Sequence, residues 1–262
     1  MMQSGYYNSI GAMVTQFNKL DTVTNNLANL NTAGFKQDKN IVGDFMRLYE
    51  EKRNILPLDN NTVEGSKFYN RTMDRVPQVV EQYTDYAQGP IKQTENPLDL
   101  AIKSKHNFFL IQNGDQLQLS RNGAFSVNED GFLVNKNGDY LLGADKNKIS
   151  INTNTRLDID SDGLIYQNNE LSNELFIASV ENTKKLTKAG NGNFHIGEQN
   201  IYHNDTSGLI ASGHLEQSNV NPIYSMSELI VTNRLLEMSQ KAANSQMDDM
   251  NNDAINKIAS TK

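Results

Sequence analysis

Apolar residues recur near both ends of this 262-residue chain at alternating steps of three and four, the spacing that lines side chains along one face of a helix. At the N-terminal end the set is Tyr6, Ile10, Met13, Phe17, Leu20, Thr24 and Leu27. At the other end Asn221-Pro222 supplies a helix start, because the proline ring presets the first turn. Beyond it Met226, Leu229, Asn233, Leu236, Gln240, Ala243, Met247, Met250 and Ala254 continue without a break. The sequence thus predicts two long helices, each polar off its seam, bracketing everything else. Thr24, Asn233 and Gln240 put polar groups at seam positions, a device that sets register and partner number at some cost in stability. Seams of this kind call for partners.

Asn25, Asn26, Asn29 and Asn31 crowd the end of the first helix, and Thr32-Ala33-Gly34 follows with a glycine free to turn left-handed. The helix is expected to end between Leu30 and Gly34, with the asparagines bonding backbone groups there.

The middle of the chain reads differently. Residues 88–214 hold short runs of branched and aromatic residues: Phe108 to Gln112, Gln116 to Leu119, Ala124 to Val127, Phe132 to Val134, Tyr140 to Leu142, Ile149 to Ile151, Leu164 to Tyr166 and Leu175 to Val180. Asn113-Gly114, Asn122-Gly123, Asp130-Gly131, Asn137-Gly138, Asp162-Gly163 and Asn191-Gly192 punctuate them with turn pairs suited to hairpins. No strand alternates with a long helix, so the fold class is mainly β with α: an antiparallel all-β central domain inserted between terminal helices. Residues 37–87 are read as an extended or irregular arm, with a short helix around Ile41 to Tyr49. Val76 to Val80 is read as a first strand whose Pro77 stands at an edge or strand start.

Composition excludes several functions. A net charge of -7 argues against nucleic acid as the main partner. There is no cysteine, hence no disulfide framework or thiolate metal site. No apolar run reaches the ~18 residues of a membrane-spanning helix. Asp158, Asp160, Asp162 and Gly163 match the first half of a calcium loop, but Asn169 stands where its closing glutamate belongs, so a hairpin turn is expected. His106, His195, His203 and His214 are dispersed, and no nucleophile elbow, P-loop or H-E-x-x-H motif is present. No catalytic, cofactor or metal site is predicted. The first twenty residues lack the basic start and unbroken apolar core of a cleaved secretory signal.

The segment Leu20-Asp21, Asn25-Asn26-Leu27-Ala28-Asn29 and Asn31-Thr32-Ala33-Gly34-Phe35-Lys36 resembles the N-terminal signature of the flagellar rod and hook family of axial proteins. Gly213-His214-Leu215-Glu216-Gln217-Ser218-Asn219-Val220-Asn221-Pro222 resembles the matching C-terminal signature, and Gln88-Gly89, Asn96 to Ile102 and Arg121 to Phe125 are similar to the family's middle domain. Ser104-Lys105-His106-Asn107 departs from the glycines usual there. The resemblance implies a structural subunit of the basal-body rod. Its partners would be copies of itself, other rod or hook axial proteins and the flagellar type III export apparatus, with export lacking a cleaved signal.

Met226-Ser227-Glu228-Leu229-Ile230 with Leu236-Glu237-Met238 resembles the proximal-rod type more than the distal. On this reading 1–36 plus 215–262 form a discontinuous, coiled-coil-like assembly domain. Its interface residues are Ile10, Met13, Phe17, Leu20 and Leu27, then Asn25, Asn26, Asn29 and Asn31, then Leu229, Leu236, Met247 and Met250. The competing reading is a carbohydrate-binding β module with helical anchors, using Tyr140, Tyr166 and Tyr202 as an aromatic platform.

Overall fold

The computed structural model describes residues 2–44, 77–152, 155, 157–197, 201–203 and 207–259. Helix α1 spans Met2–Ala28. Two strands follow, β1 (Asp38–Asp44) and β2 (Pro77–Thr84), paired in a two-stranded sheet. Then come β3 (Ile91–Gln93), β4 (Leu100–Ile102), β5 (Asn107–Asn113), β6 (Gln116–Ser120), β7 (Phe125–Val127), β8 (Leu133–Asn135) and β9 (Tyr140–Leu141). Strands β10 (Leu157–Ile159), β11 (Leu164–Gln167), β12 (Glu170–Glu174) and β13 (Ile177–Ser179) continue the chain. They precede β14 (Thr187–Gly190), β15 (Asn193–His195), β16 (Tyr202–His203), β17 (Ile210–Ser212) and β18 (His214–Glu216). Helix α2 spans Pro222–Ala259 and starts, as its proline requires, at its first position.

The chain divides into two compact units. One comprises Ala28–Gln37 and Thr84–Asn221, and is mostly antiparallel β. Its largest sheet runs β14-β15-β6-β5-β9-β8-β7, with β13 pairing both β5 and β16. Strand β5 lies at the centre: Asn107 through Ile111 are all buried. Because successive strand residues point to opposite faces, Phe109 and Ile111 join one apolar cluster, with Leu100, Leu141 and Ile177. Phe108 and Leu110 join the other, with Leu119, Phe176 and Phe194. A strand buried on both faces explains why Phe108 to Gln112 reads as a continuous apolar run.

Turn chemistry carries most of the connections. Asn191 and Gly192, both at positive φ, close the β14–β15 hairpin. Gly163 at φ +75° turns β10 into β11, so the Asp158–Gly163 motif is a hairpin whose Asp162 carboxylate accepts the Gly208 N–H at 2.7 Å. Among the described residues no group of three or more metal-ligating side chains occurs. Asn122-Gly123 differs from the expectation. Gly123 does not take positive φ; a side chain there would collide with the carbonyl oxygen of Leu100, so this glycine serves close strand approach.

The second unit comprises Met1–Leu27, Asp38–Tyr83 and Pro222–Lys262. Its strand β1 replaces the helix expected from Ile41: branched Ile41 and Val42 beside Gly43 favour a pleated strand once β2 is there to pair with. The remainder of that expected helix, 45–49, and the arm over 54–75 fall outside the described residues. Pro77 opens β2, the strand-start position anticipated for it.

Phe109→Ala empties a site at the centre of the larger cluster and should lower stability by ~3–5 kcal/mol. Chemical denaturation checks this; a loss under 1 kcal/mol would show that β5 is not the centre of the core.

Candidate assembly surface and the junction behind it

Lys36, Arg121 and Glu216 come from three distant parts of the chain and meet in the β unit with their side chains almost wholly buried. The Lys36 ammonium lies 2.6 Å from Glu216 Oε1, and the Arg121 guanidinium 3.1 Å from Oε2. Gly89 N–H donates to the same carboxylate at 2.9 Å. Two cations against one anion leave excess positive charge, which backbone carbonyls absorb. Lys36 donates to Ala87 O at 2.8 Å, and Arg121 to Ile102 O and Ser104 O. The guanidinium also lies 5.0 Å from the Phe108 ring centre. Burial pushes the pKa of Lys36 below the ordinary lysine range against the pull of Glu216, and burial lowers that of Arg121 in the same way.

This cluster ties the segment that follows α1 in the chain to the segment that precedes α2. Gly34, at φ +69°, donates to Glu216 O at 2.8 Å, and a side chain there would run into the Arg121 backbone. Only glycine combines that φ with that proximity. Next to it Asn219 Oδ1 accepts Gln37 N–H at 2.8 Å, and Asn219 Nδ2 donates to Asp85 O and Ala87 O. Lys188 donates to Lys36 O at 2.9 Å and lies 4.5 Å from the Phe35 ring centre. Sequence reading singled out Lys36, Arg121 and Glu216 only as parts of motifs. Their ionic pairing has no local sequence signal, since 180 residues separate Lys36 from Glu216.

In the helical unit, α1 ends at Ala28, two residues short of the expected range, and turns carry the chain on to Gly34. Asn26 is buried and clamps β1: its amide donates to Asp38 O at 2.7 Å, and its oxygen accepts Asp38 N–H at 2.9 Å. Asn29 accepts the Thr32 hydroxyl, while Asn31 is exposed. Asn25 lines a polar cleft of about 480 Å³ together with Asn18, Asp21, Thr22, Asp38, Asn40, Val79 and Gln82.

The helices do not bury the faces with the most apolar residues. On α1 the buried positions are Thr15, Val23 and Asn26, whereas Phe17 is 53% and Val14 52% exposed, and Ile10, Met13, Leu20 and Leu27 are only half-buried. On α2 Ser225, Thr232 and Ala243 are buried and Leu229, Leu236 and Met250 half-buried, while Met247 is half exposed. Alternate positions of the expected seam thus shift by one residue, from Met226 and Asn233 to Ser225 and Thr232. Short side chains there allow closer approach. Nor is α2 polar off its seam: Ile223, Tyr224, Ile230, Val231, Leu235 and Met238 are all exposed. Lys19 and Glu228 join the two helices at 3.0 Å.

The proposed sugar platform fares differently. Tyr140 and Tyr166 are half-buried, and the Lys148 ammonium covers the Tyr140 ring at 3.7 Å. The Tyr202 side chain lies outside the described residues.

Three family models match this chain: the flagella basal body rod protein over residues 7–36, the flagellar hook protein FlgE/F/G D1 domain over 101–167, and the flagellar basal body rod FlgEFG protein C-terminal over 211–257. The chain belongs to the flagellar rod and hook family. The flagellar basal-body rod protein FlgF of Buchnera aphidicola subsp. Schizaphis graminum is 29% identical over 98% of both chains. FlgF of Caulobacter vibrioides is 28% identical over 92% of both, and the rod protein FlgG of Bacillus subtilis 26% over 92% of this chain and 94% of its own. Two of the three matches cover α1 with its exit and α2 with its entry, the segments that the ion cluster joins. No described helix is long and apolar enough to cross a membrane.

Removing the carboxylate strands two buried cations. Glu216→Ala should cost ~3–5 kcal/mol, and at ~2–4 °C per kcal/mol the Tm should fall by roughly 6–20 °C. Replacing all three members by apolar residues of similar size should cost far less, because no buried charge is left unpaired. Calorimetry of both variants checks this; equal losses would mean that the cluster acts through volume rather than charge.

Proposed function

We propose that this chain is a structural subunit of the flagellar basal-body rod, built into the axis through its terminal helices. One observation carries the reading: both helices keep large apolar side chains exposed in the single chain, while of their buried positions only Val23 is a larger apolar residue. Exposed apolar faces on a folded protein mark interaction surfaces. Contacts between identical subunits that do not close on themselves produce a helical filament, which is the geometry of a rod.

Ile10, Met13, Phe17, Leu20 and Leu27 form the N-terminal packing surface, with Leu229, Leu236, Met247 and Met250 as its C-terminal counterpart. Asn25, Asn26, Asn29 and Asn31 set the geometry where α1 ends. The partners are copies of this chain and other rod and hook axial proteins. The subunit reaches its place, the basal body across the periplasm, through the type III export apparatus. Its role is transmission of torque by rigid packing, without catalytic turnover. The proximal rod is favoured over the distal by the run Met226 to Met238.

Leu27→Asp places a charge on the packing surface and should leave the β unit folded while abolishing motility. Circular dichroism and swimming assays of the complemented deletion strain check this. Normal swimming would sink the assignment of this surface.

A further inference from the structure

Within one chain α1 and α2 run antiparallel. Ala28 ends α1 six residues before Gly34, and Pro222 opens α2 six residues after Glu216; Gly34 and Glu216 are hydrogen-bonded. The Lys19–Glu228 pair, nine residues from one helix end and six from the other, fits that direction. A stack of identically oriented copies keeps the same relation between α1 of one copy and α2 of the next.

With an antiparallel direction, the two outward faces match in sequence. On α2, Tyr224, Val231, Leu235 and Met238 step by seven, four and three along one exposed stripe, with exposed Arg234 on its rim. On α1, Phe17, Leu20 and Thr24 line the outward stripe, with exposed Asp21 on its rim. Aligning Asp21 with Arg234 sets Phe17 opposite Met238, Leu20 opposite Leu235, and Thr24 opposite Val231. No other fixed register is needed to pair both the charges and the apolar residues.

We propose that the outward α2 stripe Tyr224–Met238 receives the outward α1 face of a second copy, in the antiparallel register that pairs Asp21 with Arg234. The occupant is a second copy because this chain carries both complementary faces, each with its charge. The contact is heterologous, since α1 meets α2 rather than its own image, and so it propagates. The proposal rests on the rod reading and names the partner face within it.

The chain contains no cysteine, so single thiols report cleanly. Two full-length, differently tagged versions, Phe17→Cys and Met238→Cys, are co-expressed in the deletion strain, and basal bodies are treated with a short bismaleimide. The expected product is a dimer carrying both tags, absent when either version is expressed alone. Adding Asp21→Arg to the first version should weaken that band about tenfold, and adding Arg234→Asp to the second should restore it. Tagged chains present in basal bodies of swimming cells, but giving no mixed dimer, would overturn the register while leaving the rod reading intact. A product joining the chain to a protein of different mass would overturn the second-copy assignment. Absence of both versions from basal bodies, with folded protein in the cell, would overturn the rod reading itself.

Discussion

A single carboxylate, Glu216, gathers three distant parts of the β unit in one place. Ionised groups are costly to bury unless paired and hydrogen-bonded, and Glu216 meets that condition through Lys36, Arg121 and the Gly89 amide. The pairing is demanding because each partner comes from a different part of the chain. Hydrophobic packing alone tolerates sliding and repacking; two cations sharing two carboxylate oxygens do not. Beside the cluster, the Gly34 amide donates to the Glu216 carbonyl and the Gln37 amide to Asn219 Oδ1, so the segment after α1 and the segment before α2 meet there through backbone as well as charge.

The helices follow from a constraint of their own. Strand β1 meets α1 through Asp38 and Asn40: the Asn26 side chain bonds both backbone groups of Asp38, and the Asn40 amide donates to the Asn18 carbonyl and the Thr22 hydroxyl. A helix that turns Asn26 inward must turn Phe17, half a turn away around the axis, outward. On α2 the same outcome arises from size: Ser225, Thr232 and Ala243 occupy the inward stripe, which leaves the larger apolar side chains on the outside.

How much of this was legible follows from range. The helices, the turn at Gly34, the strand at Phe108 to Gln112 and most hairpin glycines are local patterns, and the sequence contains them outright. Gly123 was misread because an Asn-Gly pair signals a hairpin turn locally, whereas its actual reason, the carbonyl of Leu100, lies over twenty residues away. Ile41 and Val42 were misread because isolated propensity cannot see β2. The choice of inward face was also hidden: periodicity finds an apolar stripe that calls for a partner, but not that Thr15, Val23 and Asn26 turn inward within the chain, and that choice is informative.

It is informative because the β unit does not need the helices' apolar residues. Strand β5 is already covered on both faces, by clusters drawn from its own sheet and from β4, β11 and β17. Exposed Phe17, Tyr224, Val231 and Met238 thus have no unmet role in a core, and in an isolated soluble chain they would only raise the risk of aggregation. Sequences retain such residues on a helix surface where a partner covers them. In the rod proposed above that partner would be a neighbouring copy, which is why the exposed residues of α1 and α2 are the ones to test.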